Sequence, residues 1–271
     1  MTLGRFLRTP KGLALIIIAG LAVLAAWGEG VTLVAPGLAA AMGAAMVVDA
    51  PILRFRSGRW TFPSGALLTG LIVAMILTPQ EPWYVFAVTA AVGVVSKYLL
   101  RVRTANIFNP AALALVATFY VFHTGQSWWG ALPEMTPYAL LILLATGLYL
   151  TQRVNKIPVV LAFLGSYYLL ATITAYIGDP AGVAELYRAP DLHAALYFAF
   201  FMVTDPPTSP PKHRDQVVFG VIVAVVSYAV FELIGAVYFL LAGLLAANGW
   251  EAWRRVRSRA TTLRSRVVRS G

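Results

Sequence analysis

Two apolar segments, residues 66–78 (ALLTGLIVAMILT) and 194–204 (AALYFAFFMVT), each run into a proline-rich break, TPQEP and TDPPTSPP. As helices rising 1.5 Å per residue they reach only about 16 to 20 Å, against about 30 Å of bilayer hydrocarbon. A backbone that stops at that depth persists only beside protein or a cavity, because lipid offers no partner for its N–H and C=O groups. Interrupted segments at corresponding places in two halves of a chain are, in transporter-like folds, a pointer to a binding site.

The rest of the chain agrees with a membrane setting. Of 271 residues 59% are hydrophobic and 12% charged, with a mean hydropathy of +0.76, which marks a polytopic membrane protein. Apolar runs extend from Gly12 to Asn248, so residues 1–250 read as one membrane domain and 251–271 as a basic tail. There is no cysteine, which excludes disulfides, cysteine-held iron–sulfur clusters and thiolate zinc sites in this chain. A redox centre here would be an organic cofactor or would sit on a partner. His123, His193 and His213 fall at predicted helix ends, an arrangement that does not suit a bis-histidine haem.

Ten spans are predicted, at about 12–27, 32–50, 62–78, 83–99, 109–122, 136–151, 158–177, 191–204, 216–230 and 233–249. With the N-terminus in the cytoplasm, all of the 21 lysines and arginines except Arg188 fall inside, as the positive-inside rule requires. Both termini are then cytoplasmic in a multi-pass protein of the cell membrane. Five spans plus five give inverted repeats, about 12–122 and 136–249. That symmetry favours keeping the first span, although its charged start and apolar stretch also fit a signal peptide. The net charge of +10 resides mostly in the tail, where it suits anionic lipid, topology or a partner subunit and implies no nucleic acid.

Four places could carry chemistry. Asn109-Pro110 opens a short helix with a favoured N-cap and a proline at the first helical position. Within a membrane the same feature presents unpaired N–H groups and a positive dipole end to a phosphate, a carboxylate or ring carbonyls. In FMVTDPPTSPPKH, Asp205 borders hydrocarbon and Thr204, Thr208 and Ser209 stand among four prolines that stiffen the loop. Ser64 and Thr69, with Gly65 and Gly70, lie at the inner start of the first short helix, where small residues serve close packing or the approach of a planar ligand. On the outer side Thr78, Gln80, Glu81 and Glu232 read as loop positions in water, or as a second site. Asp49 is expected to pair with Arg54 or Arg56, and Trp83, Trp128, Trp129, Trp250 and Trp253 to anchor at the membrane interface.

The succession SGALLTGLIVAMILTPQEPWYV, NIFNPAALALV, GLYLTQRVNKIPVVLAFLGSYYLL and FMVTDPPTSP resembles the NqrB/RnfD family over roughly residues 50–248. Its members are membrane subunits of ion-pumping, flavin-containing oxidoreductases. The resemblance implies an all-α membrane fold of ten helices in two inverted repeats, similar to urea transporters, within a complex of membrane or flavoprotein subunits. It also implies that Asn109, Pro110, Thr204, Asp205, Thr208 and Ser209 line or support a flavin pocket near the cytoplasmic face, with Ser64 and Thr69 beside it. Relatives with covalent FMN attach it to the threonine of a Gly-Ala-Thr type motif in a long outer segment between the fifth and sixth spans. Here that connection, HTGQSWWGALPEM, has thirteen residues and no such motif, and neither Thr124 nor Thr136 has the required neighbours. The chain thus looks like a shortened member, and the flavin expected, riboflavin or FMN, is noncovalent. No metal site and no NAD fingerprint are present in the sequence, so at most a subunit of an oxidoreductase is expected. A solute or ion channel of the same fold and a scaffold without cofactor are the alternative readings.

Overall fold

The structure, a computed structural model, describes residues 4, 6, 9–102, 105–135, 137–177, 180, 184 and 186–270. Arg5, Arg8, Arg103 and Thr136 lie outside the described residues. Ten α-helices occur among the described residues: α1 (Pro10–Glu29), α2 (Val31–Ser57), α3 (Ser64–Ile76), α4 (Trp83–Leu99), α5 (Pro110–Phe122), α6 (Tyr138–Arg153), α7 (Ile157–Ile177), α8 (Asp191–Phe201), α9 (His213–Ile234) and α10 (Phe239–Ser270). A two-residue antiparallel pair, β1 (Arg101–Val102) and β2 (Ala105–Asn106), turns the chain between α4 and α5. The architecture is all-α, as expected. Helices α1, α2, α7 and α9 are long and apolar enough to cross a membrane, whereas α3, α4, α5 and α8 are shorter apolar helices.

Local chemistry places the ends. Thr9 caps α1 by accepting from Gly12 N at 3.1 Å, with Pro10 at the first helical position. Asn109 caps α5 in the same way, accepting from Ala112 N at 3.1 Å ahead of Pro110. Helices α2 and α9 stop at Gly58 (φ 72) and Gly235 (φ 66), in the left-handed conformation that glycine adopts without steric cost.

The two short helices form the centre. Every residue of α8 from His193 to Phe201 is buried, as is α3 from Thr69 to Ile76. Around them the second and fourth helices of each half pack closely, α2 on α4 and α7 on α9, while α1 lies on α3 and α6 on α8. Gly70 sets the α2–α3 approach, because a Cβ there would stand 2.8 Å from Ala41 O. The outer surface exposes Val23, Trp27, Val47, Leu141, Leu161 and Tyr176, the apolar face a lipid-bathed protein presents.

How a helix can stop at membrane depth is visible at the end of α3. Trp129 Nε1 donates to Ala74 O at 2.7 Å, and Ser127 N and Trp128 N donate to Ile76 O at 3.0 and 3.2 Å. Thr78 N donates to Gly125 O at 3.1 Å, and Gly125 N to Glu81 Oε1 at 2.8 Å. The short connection after α5 therefore folds back and satisfies two of the carbonyls at the helix end, those of Ala74 and Ile76. This corrects two expectations. Trp128 and Trp129 are 7% and 1% exposed and belong to the core, not to the interface; Trp83 and Trp253 are exposed. Glu81, for its part, accepts a backbone hydrogen bond from that connection.

Candidate functional site

A cavity of about 520 Å³ opens where α1, α3, α5 and the end of α8 converge. Its lining includes Asn109, Pro110, Thr204, Asp205 and Thr69 among the residues singled out from sequence. The rest is chiefly apolar, with Ala14, Ile18, Leu68, Ile72, Leu150 and Phe201. Three helix N-termini reach it, through Thr9 and Pro10 of α1, Gly65 of α3 and Asn109-Pro110 of α5, and each brings the positive end of a helix dipole. Ser64 lies in a second, adjoining cavity of about 440 Å³.

Thr208 and Ser209 line neither cavity. They stand behind Asp205 and hold it: Thr208 Oγ1 donates to Asp205 Oδ2 at 2.9 Å, and Ser209 Oγ to Asp205 O at 2.7 Å. Thr204 Oγ1 donates to Phe200 O at 2.6 Å, closing the last turn of α8. The proline-rich loop is then pinned from outside. Lys156 Nζ donates to Ser209 O at 3.3 Å and Pro210 O at 2.5 Å, and Gln216 Nε2 to Pro211 O at 3.3 Å. Arg255 gives Nη1 to Pro207 O at 2.9 Å and Nη2 to Ser209 O at 3.3 Å, while its Nε meets Glu251 at 2.7 Å. Burial holds the Lys156 ammonium down at about 8, with Asp205 and Glu251 opposing the shift.

Asn248 joins the two motifs. Its Oδ1 accepts from Asn109 N at 2.8 Å and its Nδ2 donates to Thr208 O at 3.3 Å, so one buried side chain ties the start of α5 to the loop after α8. Sequence reading missed this residue, since a lone asparagine near the end of a span has no local signature. It also took Lys11 and Lys97 as topology markers only, and both line the cavity. The signal was available for Lys97, because an ammonium one turn inside an apolar helix is costly unless partnered or used. Its Nζ donates to Gly65 O at 2.7 Å. Asp49 departs from expectation as well: it accepts from Tyr98 Oη at 2.6 Å, and Arg56 lies over the Tyr98 ring, 5.4 Å from its centroid.

Broken helices at the centre, an apolar exterior and a cavity at the breaks define a multi-pass α-helical membrane protein with a ligand-sized site. The sequence matches the NQR2, RnfD, RnfE family over residues 9–139 and 130–239, and the chain belongs to that family. Three curated proteins that are similar to it carry the name of one and the same component of an ion-translocating oxidoreductase complex. That of Shewanella sediminis (strain HAW-EB3) is 26% identical, covering 70% of this chain and 75% of the relative. That of Pseudomonas aeruginosa (strain LESB58) is 27% identical with 82% of each covered, and that of Escherichia coli (strain ATCC 8739) 23% identical with 79% and 82% covered.

Proposed function

We propose that this chain is a membrane subunit of an ion-translocating electron-transport complex in the cell membrane, and that it carries electrons through a noncovalently bound flavin. The observation that carries the reading is the convergence of the Asn109-Pro110 helix start and the Thr204–Pro207 helix end on one cavity. The names of the relatives support the complex. The packing of second on fourth helix in both halves supports two inverted repeats, and the basic residues support cytoplasmic termini.

The residues present fit a flavin. The cavity lies within the range of small-molecule sites, about 300 to 1,000 Å³, and combines an apolar lining with a few polar groups. Ala14, Ile18, Leu68, Ile72 and Phe201 offer surfaces for a planar ring. Asn109, Thr69 and the N–H groups of Gly65 and Ala111 in the first turns of α3 and α5 offer its polar edge hydrogen-bonding partners. Asp205, held by Thr208, would orient the ring or hold a proton at its carboxylate. When bound, a flavin would supply reversible one- and two-electron chemistry. The converging positive helix ends and the Lys11 and Lys97 ammoniums would favour negative charge there, and the surrounding helices would limit water.

The test is a flavin assay on detergent-purified protein, comparing flavin released by acid with flavin fluorescence retained on a denaturing gel. About one released flavin per chain is expected, with a clear fall in folded Asp205→Ala. Fluorescence on the gel would refute noncovalent binding. Folded protein from riboflavin-replete cells with no flavin in either fraction would refute the flavin reading as a whole.

A further inference from the structure

Helix α2 has 27 residues and rises about 40 Å, or about 38 Å at a usual tilt of about 20°, against about 30 Å of hydrocarbon. Its last turns therefore reach the headgroup layer. They carry Arg54, Phe55 and Arg56, and the loop that follows carries Arg59, Trp60 and Phe62. Phe55 is 92% exposed and Trp60 72%, so neither ring is covered by the protein. No acidic residue occurs between Asp49 and Glu81. Among the described residues neither Arg54 nor Arg59 makes a salt bridge, the three such contacts all lying at Arg254 and Arg255.

Helical spacing shows which way this end faces. Val47, Pro51 and Phe55 follow one another at intervals of four and are all exposed, so Phe55 continues the stripe that α2 presents to lipid. Arg54, three positions after Pro51, is exposed on the same side. Arg56 turns inward instead, over the Tyr98 ring and into the second cavity. Gly58 N donates to Arg54 O at 3.0 Å and Ser57 Oγ to Arg59 O at 2.8 Å, so the chain reverses at Gly58 and keeps Arg59 beside the end of α2. Tryptophan favours the headgroup level, and a guanidinium presents a fork of donors that matches phosphate oxygens. A zwitterionic headgroup would bring its own cation against two guanidiniums, whereas an anionic one brings none.

We propose that the end of α2 and the loop to Trp60 bind an anionic phospholipid, its acyl chains along Val47, Pro51 and Phe55 and its phosphate at Arg54 and Arg59. None of these residues lines either cavity, and the site is independent of the flavin reading. The acidic face of a soluble protein would suit the two arginines but not the apolar stripe that leads to them, which lies at the depth of the bilayer.

The experiment places the full-length protein in phosphatidylcholine discs that contain a minor share of phosphatidylglycerol or of phosphatidylcholine brominated near the headgroup end of the acyl chains. Tryptophan quenching is read in the unmutated chain and in Trp60→Phe, and the difference isolates Trp60. Brominated phosphatidylglycerol should quench Trp60 at a mole fraction about fivefold lower than brominated phosphatidylcholine, the preference that one basic residue gives an anionic surface. Added salt should narrow that gap, a comparison that needs no arginine variant. The gap should shrink in Arg54→Gln and close when Arg59→Gln is added, with the melting temperature kept because both side chains are exposed. Lys212→Gln, which removes a charge from another exposed loop, should leave the gap unchanged. Equal quenching by the two lipids would overturn the proposal, as would a gap that survives the loss of both arginines. Quenching of Trp60 by neither lipid would put the loop in water, overturn the lipid site and assign the patch to a soluble partner.

Discussion

At the scale of single residues, the site depends on side chains that no ligand would touch. Asn248 satisfies Asn109 N–H and donates to Thr208 O, and both groups lie out of water. Asn248→Ala leaves a buried donor without a partner, a loss of about 1–3 kcal/mol. A lower melting temperature in detergent and a weaker hold on any cavity ligand are the expected outcomes. Asn248→Asp, which keeps an acceptor for Asn109, should recover part of the loss. Lys156 makes a prediction of opposite kind. Its folded value of about 8 lies below the 10.5 of a free lysine, so between those pH values the unfolded chain binds a proton that the folded chain does not. Its contribution to stability is therefore full above about 10.5 and lost as the pH falls through about 8. Melting temperatures across that window should rise with pH in the unmutated protein, and Lys156→Met should flatten the rise.

At the scale of elements, the short helices survive because neighbouring segments complete their ends. The α3 terminus is closed by the connection after α5, and the α8 terminus by its own loop under Lys156, Gln216, Asn248 and Arg255. Trp129→Phe keeps the ring and deletes the donor to Ala74 O. The orphaned carbonyl should cost about 1–3 kcal/mol, seen as a lower midpoint in a thermal melt, whereas Trp83→Phe at the exposed surface should cost little. Gly70→Leu tests the α2–α3 contact by overpacking. With Ala41 O only 2.8 Å from a Cβ, the helices must part, and a loss of about 1–3 kcal/mol is expected, together with a changed cavity volume. The break motifs were legible in sequence because proline and the hydrophobic length limit are local properties. Their closure was not, because Trp129 and Ala74 meet across 55 positions and nothing local in a tryptophan pair separates a core ring from an interfacial anchor.

At the scale of the whole molecule, the basic residues predict one orientation. A green fluorescent protein fused to the C-terminus should fluoresce, and alkaline phosphatase at the same place should be inactive, the reverse pattern refuting cytoplasmic termini. The sequence by itself determined that this is a multi-pass helical membrane protein with two truncated central helices, because hydropathy, proline and charge act over short stretches of chain and need no tertiary partner. It also pointed to Asn109, Pro110, Thr204 and Asp205, whose chemistry is conspicuous beside hydrocarbon. Only the tertiary structure decided that these residues and Thr69 share one cavity, that Thr208 and Ser209 brace Asp205 from behind, and that Ser64 belongs to the neighbouring cleft. It alone set Lys11 beside Lys97, since the two lie 86 positions apart in the chain and meet only at Gly65, where the absence of a side chain leaves them room.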